Sequence, residues 1–337
     1  MSSPETLVLD AAAVRTLLPM KECIGAMEEA FRALADGRAR LPLRSILWTP
    51  DEQGALGLMP GWLGATPEGI LGLKAVSVFP GNHGTELDSH QGVVLLFEAQ
   101  RGRLLAIADA TEITAIRTAA VSAVATKLLA RRDAADLAIF GSGTQARTHL
   151  EAMLAVRQIR SVRVWSRNPD NARAFADRES KRHDRKVEPV DNPEAAAREA
   201  DILCTVTSAR SPFLRGEWLS PGAHVNAAGS SIASARELDA AAVASARYFC
   251  DRRESTLAES GDFLFAKKEG AVTDDHVLGE IGDVLTGSRR GRISQGDITL
   301  FKSLGLAIED LAAASLVYEK ARERGLGVAL PIGGRRG

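Results

Sequence analysis

The sequence predicts an α/β protein: a parallel sheet in the middle of the chain, and a mixed α+β unit built from its two flanks. Three observations carry that expectation. A strand, a glycine-rich turn and a helix follow one another at 137–149; alternating strands and helices continue to about Asp251; the flanks follow a different pattern. Strand–helix alternation implies a parallel sheet wound by right-handed crossovers. The N-terminal flank reads as an amphipathic helix at 20–36 and strands at 41–48, 70–79 and 91–97. The last, GVVLLFE, is apolar enough for a sheet interior. Gly and Pro at 60–69 and 80–84 mark turns. An alanine-rich helix over about 112–131 leads into the alternating part, and 298–325 reads as one more long helix. The expected domains are 1–125 together with 305–337, and 126–304 between them.

In the central part, strands are expected at 137–140, 161–166, 201–206, 223–228 and 247–251, with helices at 145–155 and 169–178. LAIFGSGTQARTH reads as the phosphate-binding turn of a Rossmann-type dinucleotide-binding domain. Gly141 permits the tight turn, Gly143 lets backbone approach a pyrophosphate, and Ala146 is the third small position, where helix packs on strand. Thr144 and Gln145 open the helix, whose N–H groups and dipole attract phosphate. About 20 residues on, an NAD site places an acid against the ribose 2′-hydroxyl. This chain has Ser166, Arg167 and Asn168 there. A cation with two small donors suits a 2′-phosphate, so the expected cofactor is NADP(H), with NAD(H) the alternative. The plain alternative for Arg167 is a solvated loop residue; the glycine turn at the right distance favours the phosphate.

A chain of 337 residues can bury two cores. Its net charge of −1 excludes a global basic field, and with it nucleic-acid or anionic-membrane partners. Cys23, Cys204 and Cys250 are odd in number and form no CxxC, so free thiols in a reducing compartment are expected. No basic start precedes an apolar segment at the N-terminus and no apolar run reaches membrane-spanning length; a soluble, cytoplasmic protein follows. The six histidines show no paired ligand spacing, so no metal is expected.

Three cations interrupt apolar patterns. Arg117 falls on a helical stripe with Ile113, Val121, Val124 and Leu128; Lys74 shares a strand face with Val76 and Val78; Arg44 shares one with Ile46 and Trp48. A buried cation is costly unless an anion pairs with it. Internal ion pairs or snorkelling would explain each one singly. Beside a nicotinamide site, the three together suggest a pocket whose missing anion is a substrate carboxylate. Arg44 and Arg117 would clamp it, and Lys74, its pKa lowered by burial, would move a proton.

HQGVVLLFE (90–98), ITAIRTAAVSAVATKLLAR (113–131), GSGTQA (141–146), VNAAGSS (225–231), ARELD (235–239) and ITLFKSLGLAIEDLAAA (298–314) together resemble the ornithine cyclodeaminase/mu-crystallin family, from about Leu7 to Gly327. The resemblance implies a homodimer, with 1–125 and 305–337 forming the substrate-binding and dimerisation domain and 126–304 the NADP-binding one. It also implies carboxylate binding by Arg44 and Arg117, an active-site lysine at Lys74, nicotinamide contacts at Asn226 and at Gly305-Leu306, and 2′-phosphate contacts at Ser166, Arg167 and Asn168. Two acids that cyclodeaminases use around a side-chain amine are replaced here by Ser231 and Gly57. Ser231 would then line the substrate pocket. The resemblance is closest to the ketimine reductase/mu-crystallin-like branch. It implies an enzyme that reduces a carboxylate-bearing cyclic imine with NADPH, taking a small imino or amino acid as its partner. The alternatives are an amino- or imino-acid dehydrogenase making secondary amines from 2-oxo acids, an amino acid cyclodeaminase, and a non-catalytic NADP-binding protein.

Overall fold

The computed structural model describes residues 5–64, 69–82 and 85–332. They form two compact units: one from the chain up to Arg117 together with the segment from Leu306 on, the other from Thr118 to Gly305. The first break lies inside a helix, Ala110–Leu129, rather than at 125. The first two turns of that helix carry Arg117, which is paired within the first unit.

The second unit is a parallel sheet of eight strands. In spatial order these are Val187–Pro189, Ser161–Trp165, Asp136–Phe140, Ile202–Thr205, His224–Ala227, Thr299–Lys302, Arg247–Cys250 and Val277–Glu280. Going outward from Asp136–Phe140 the chain winds first to one side and then to the other, and the order reverses beside that strand. Ligands of such sheets bind at this switch point, beyond the carboxyl ends of the strands. Strands such as ILCT, HVNA and TLFK are wholly buried, as a sheet covered on both faces requires.

TLFK corrects the expectation of one helix over 298–325. The segment fills a gap in the sheet as Thr299–Lys302, Gly305 turns the backbone at φ +82°, and the helix runs only from Ala307 to Arg324. The short strands Val187–Pro189 and Val277–Glu280 at the two edges also escaped the sequence reading.

The first unit is a mixed sheet ordered Val328–Leu330, Thr6–Leu9, Leu104–Asp109, His90–Glu98, Ile70–Val78, Ala55–Leu63 and Ala39–Arg40, with Ser45–Trp48 pairing on Ala55–Leu63. HQGVVLLFE is indeed interior. The turn expected from residue 60 onward is instead strand as far as Leu63, with Pro60 inside it; residues 65–68 of that stretch, and 83–84 of the second turn, lie outside the described residues. Helices Met20–Ala35 and Ala307–Arg324 pack together, and the latter lies against the Ala55–Leu63 and Ile70–Val78 strands. Gly61 and Gly72 are cross-strand partners beneath it. A Cβ on Gly72 would lie 2.6 Å from the Leu95 carbonyl oxygen and would collide with Leu311; one on Gly61 would meet Ala307 at 3.0 Å. The paired glycines therefore let the helix approach the sheet closely. Lys74, two residues beyond Gly72, projects from the same face.

Candidate active site

Lys74 is 3 % exposed, on a strand between Met59 and Val94 of its neighbours. Arg117 is 4 % exposed. The face it shares with Ile113, Val121 and Val124 is buried as expected, with Leu128 half-buried, and Ala110–Leu129 is buried on nearly every other side too. The anions beside these two cations are protein side chains, the internal ion pairing that burial of a cation requires. Asp310 Oδ2 lies 2.8 Å from Lys74 Nζ, and its Oδ1 accepts from Arg117 Nε at 2.9 Å. Glu309 Oε2 accepts from Arg117 Nη1 at 2.5 Å, and its Oε1 accepts from the Leu306 N–H at 3.1 Å. Both carboxylates are fully buried. Burial of two uncompensated cations would cost several kcal/mol each, which is why the first turn of the last helix supplies two acids.

Burial pushes the Lys74 ammonium from an ordinary 10.5 down to about 8; Asp310 opposes this and Arg117 adds to it. Burial also works against the Arg117 charge, but Asp310 and Glu309 outweigh it and hold its pKa above the ordinary value. The cluster thus contains one cation fixed in charge and one amine that can gain or lose a proton near neutrality.

Arg44 is not the buried cation expected. It is partly exposed and precedes Ser45–Trp48, an outlying strand on which Ile46 and Trp48 are 41 % and 53 % exposed. Ser231 is half-buried in the loop after the His224–Ala227 strand. The adjoining Ser230 is held by a second buried network that the sequence did not reveal. Lys302 Nζ donates to the Ser230 carbonyl at 2.5 Å and to Asp262 Oδ2 at 2.8 Å. Glu237 accepts from the N–H groups of Thr207 and Gly229 at 2.7 and 3.1 Å. Burial raises the Glu237 pKa, and Asp262 adds to the effect.

In the second unit the glycine turn has the geometry a pyrophosphate needs. Gly141 sits at φ +121°, where a Cβ would also lie 2.9 Å from the Val206 carbonyl oxygen. Gly143 caps the helix Thr144–Val156 without a side-chain hydrogen bond, and a Cβ there would meet nothing within 4 Å. A turn with this open edge fits a dinucleotide phosphate. Thr144 is exposed, Gln145 half-buried and Ala146 fully buried under the helix. The Gly141 N–H donates to the Trp165 carbonyl at 2.8 Å, so the turn abuts the end of the next strand. There Ser142 Oγ donates to Ser166 Oγ at 3.1 Å, and Arg167 is exposed. Asn168 has a structural duty as well, capping the helix Pro169–His183 through the Asp170 N–H at 2.9 Å. No carboxylate stands at 166–168.

Asn226 is fully buried. Its Nδ2 donates to Thr126 Oγ1 at 2.9 Å and its Oδ1 lies 3.2 Å from His224 Nε2, so the side chain serves the sheet's own network. The Gly305 N–H is likewise committed, donating to Asp251 Oδ2 at 2.8 Å, and Leu306 is the buried N-cap residue of the last helix. Among the described residues no group of three or more His, Cys, Asp or Glu is arranged to hold a metal ion, and no helix is long and apolar enough to cross a membrane.

Residues 4–325 match the ornithine cyclodeaminase/mu-crystallin family. The chain belongs to that family. Ketimine reductase mu-crystallin of Mus musculus is 40 % identical over 284 residues, 84 % of this chain and 86 % of its own. Among solved structures, Δ1-pyrroline-2-carboxylate reductase of Thermococcus litoralis, in complex with NADH and L-proline, is 40 % identical with a TM-score of 0.93, covering 96 % of this chain and 99 % of its own. An archaeal alanine dehydrogenase dimer with bound NAD is 34 % identical with a TM-score of 0.91, covering 97 % and 99 %. The α/β architecture, a Rossmann-type domain with a second unit, is the one these relatives share.

Proposed function

We propose that the protein reduces a carboxylate-bearing cyclic imine, of the Δ1-pyrroline-2-carboxylate or Δ1-piperideine-2-carboxylate type, to the cyclic amino acid at the expense of NADPH. The carrying observation is Lys74, a buried amine brought to about 8 beside the fixed charge of Arg117. The similarity to a ketimine reductase and to a pyrroline-2-carboxylate reductase holding L-proline supports the substrate class.

The reduced nicotinamide supplies the hydride; the chain supplies binding, orientation and the proton. Arg117 and Arg44 take the imine carboxylate, which fixes the C=N bond for attack. Lys74 protonates the imine nitrogen, and Asp310 orients its ammonium. Gly141, Gly143, Thr144, Gln145 and Ala146 form the pyrophosphate turn. The absence of a carboxylate at 166–168 and the exposed Arg167 favour NADPH, whereas both solved relatives hold NADH or NAD.

The first experiment measures loss of NADPH absorbance with each ketimine, alongside NADH. Turnover with NADPH preferred supports the whole reading, and turnover with NADH preferred overturns the Arg167 assignment alone. Turnover only with a 2-oxo acid plus an amine favours the alanine-dehydrogenase-like alternative. Ammonia release from ornithine without NADPH loss points to a cyclodeaminase, although Ser231 and Gly57 leave its substrate amine without acids.

We further propose a homodimer. Leu47, Trp48, Leu56, Leu71 and Val93 are exposed on the first unit. Leu71 and Trp62 also line an open groove of about 590 Å³. A second copy would cover this apolar surface, as the dimeric state of the alanine dehydrogenase relative suggests.

A further inference from the structure

Lys74 and Arg117 share a counter-ion. Asp310 spans them, one oxygen 2.8 Å from Lys74 Nζ and the other 2.9 Å from Arg117 Nε, and Glu309 completes the set on Arg117. The charged groups that face Lys74 are Asp310 and Glu309 from the last helix and Arg117 from Ala110–Leu129. Behind Arg117 lies the Cys23 thiol of Met20–Ala35, which burial keeps uncharged. With both cations charged, the two carboxylates leave the buried cluster neutral. A substrate carboxylate arriving at Arg117 would add a third anion where uncompensated charge is expensive. The member of the cluster that can respond is the lysine amine, since Arg117 stays protonated throughout.

We propose that seating of the substrate carboxylate at Arg117 is coupled, through the shared Asp310, to uptake of a proton by the Lys74 amine. The proposal rests on the reductase reading, because it takes Arg117 as the seat. The step forms one N–H bond: the Lys74 lone pair accepts a proton from solvent, the amine becomes ammonium, and nothing is oxidised or reduced. The acid that the imine nitrogen needs is thus installed by the substrate itself. Above neutral pH, where part of the free enzyme carries a neutral Lys74, substrate binding restores the competent form.

The test is isothermal titration calorimetry on the NADPH-saturated protein in buffers of different ionisation enthalpy. The probe is pyrrole-2-carboxylate, a planar ring carboxylate without a basic nitrogen. The buffer dependence of the heat gives protons taken up per ligand. At pH 6.5 uptake is expected near zero; at pH 8.5 it is on the order of half a proton or more, since burial brings Lys74 to about 8. Lys74→Arg keeps the charge without titrating and is expected to show no uptake at pH 8.5. Asp310→Asn removes a carboxylate that favours the ammonium and moves the onset of uptake at least one pH unit lower; a merely structural Asp310 would leave the onset in place. Heats independent of buffer at pH 8.5, undiminished uptake in Lys74→Arg, or failure of the probe to bind would each overturn the coupling. Wild-type protein that reduces a ketimine yet shows no uptake defeats the coupling alone, whereas protein that reduces no imine defeats the reading beneath it.

Discussion

Replacing Gly72 with Ala tests how the last helix is seated, and with it the origin of the acids around Lys74. The added Cβ would lie 2.6 Å from the Leu95 carbonyl oxygen, well inside the 3.4 Å at which ordinary contact begins, and it would collide with Leu311. Leu95 belongs to the neighbouring strand, so its carbonyl cannot rotate away as a side-chain end could; the helix must lift or the sheet must part. Overpacking of this kind costs about 1–3 kcal/mol. At about 2–4 °C per kcal/mol for a unit of this size, the melting temperature should fall by about 2–12 °C. Gly25→Ala is the internal control. It lies in Met20–Ala35, where a Cβ would meet nothing within 4 Å, so better helix propensity should raise stability by about 0.5–1 kcal/mol. Calorimetric melting of both variants, with ketimine reduction measured in parallel, reads the difference. Because Asp310 precedes Leu311, Gly72→Ala should also lose activity more than its stability loss explains. If Gly72→Ala melted within a degree of wild type with full activity, the helix would not be seated on these glycines and the argument would fail.

Lys74→Ala should abolish ketimine reduction while NADPH still binds, as fluorescence titration would report; retained turnover would remove Lys74 from the mechanism. In wild type, kcat/KM for the ketimine should decline as pH rises through about 8, where the free enzyme loses the Lys74 ammonium, and an unchanged kcat/KM to pH 9.5 would contradict this. Arg167→Ala should raise the KM for NADPH roughly 10- to 100-fold and leave that for NADH nearly unchanged, the loss expected for hydrogen bonds to a charged phosphate. Acid should destabilise the second unit through His149, whose pKa burial lowers to about 4. Its Nδ1 lies 2.8 Å from the Gln145 carbonyl, which can only accept, so Nε2 accepts from Ser122 at 2.9 Å and the ring is neutral. Below pH 6.5 the unfolded chain binds a proton that the folded one refuses, so stability falls with pH until about 4, by about 2 kcal/mol at pH 5. His149→Gln should flatten that slope in urea titrations, and an unaltered slope would assign the acid sensitivity elsewhere.

The central unit was legible because each of its signals is local. A glycine turn needs its residues within six positions, and wholly buried runs such as LAIF and ILCT announce themselves by composition. TLFK was absorbed into a helix because a four-residue apolar run has no period of its own; its sheet neighbours, remote in sequence, decide its state. Lys74 and Arg117 stood out as cations in apolar surroundings, but Arg44 misled for a physical reason. Alternation in LPLRSILW signals a buried face only if something covers it, and within the chain Ile46 and Trp48 remain 41 % and 53 % exposed. Glu309 and Asp310 interrupt the run GLAIEDLAAA as plainly as Arg117 interrupts its own, but two acids in the first turn of a helix are also ordinary partners of its dipole. Each half of the ion cluster was visible, but their pairing joins residues nearly two hundred positions apart.

That separation has a consequence for how the protein is made. The second unit is one continuous stretch of chain, whereas the first is stitched from the two ends. During synthesis Lys74 and Arg117 leave the ribosome long before Glu309 and Asp310 exist. Until the last helix emerges, the early segment carries two cations with no carboxylates to bury them beside, together with a bare glycine seat on its sheet. The nucleotide-binding half can form as a unit in the meantime. Completion of the buried ion cluster is therefore an event of the end of translation: a chain broken off before Ala307 would keep its glycine turn and lack the acids that let its lysine be buried.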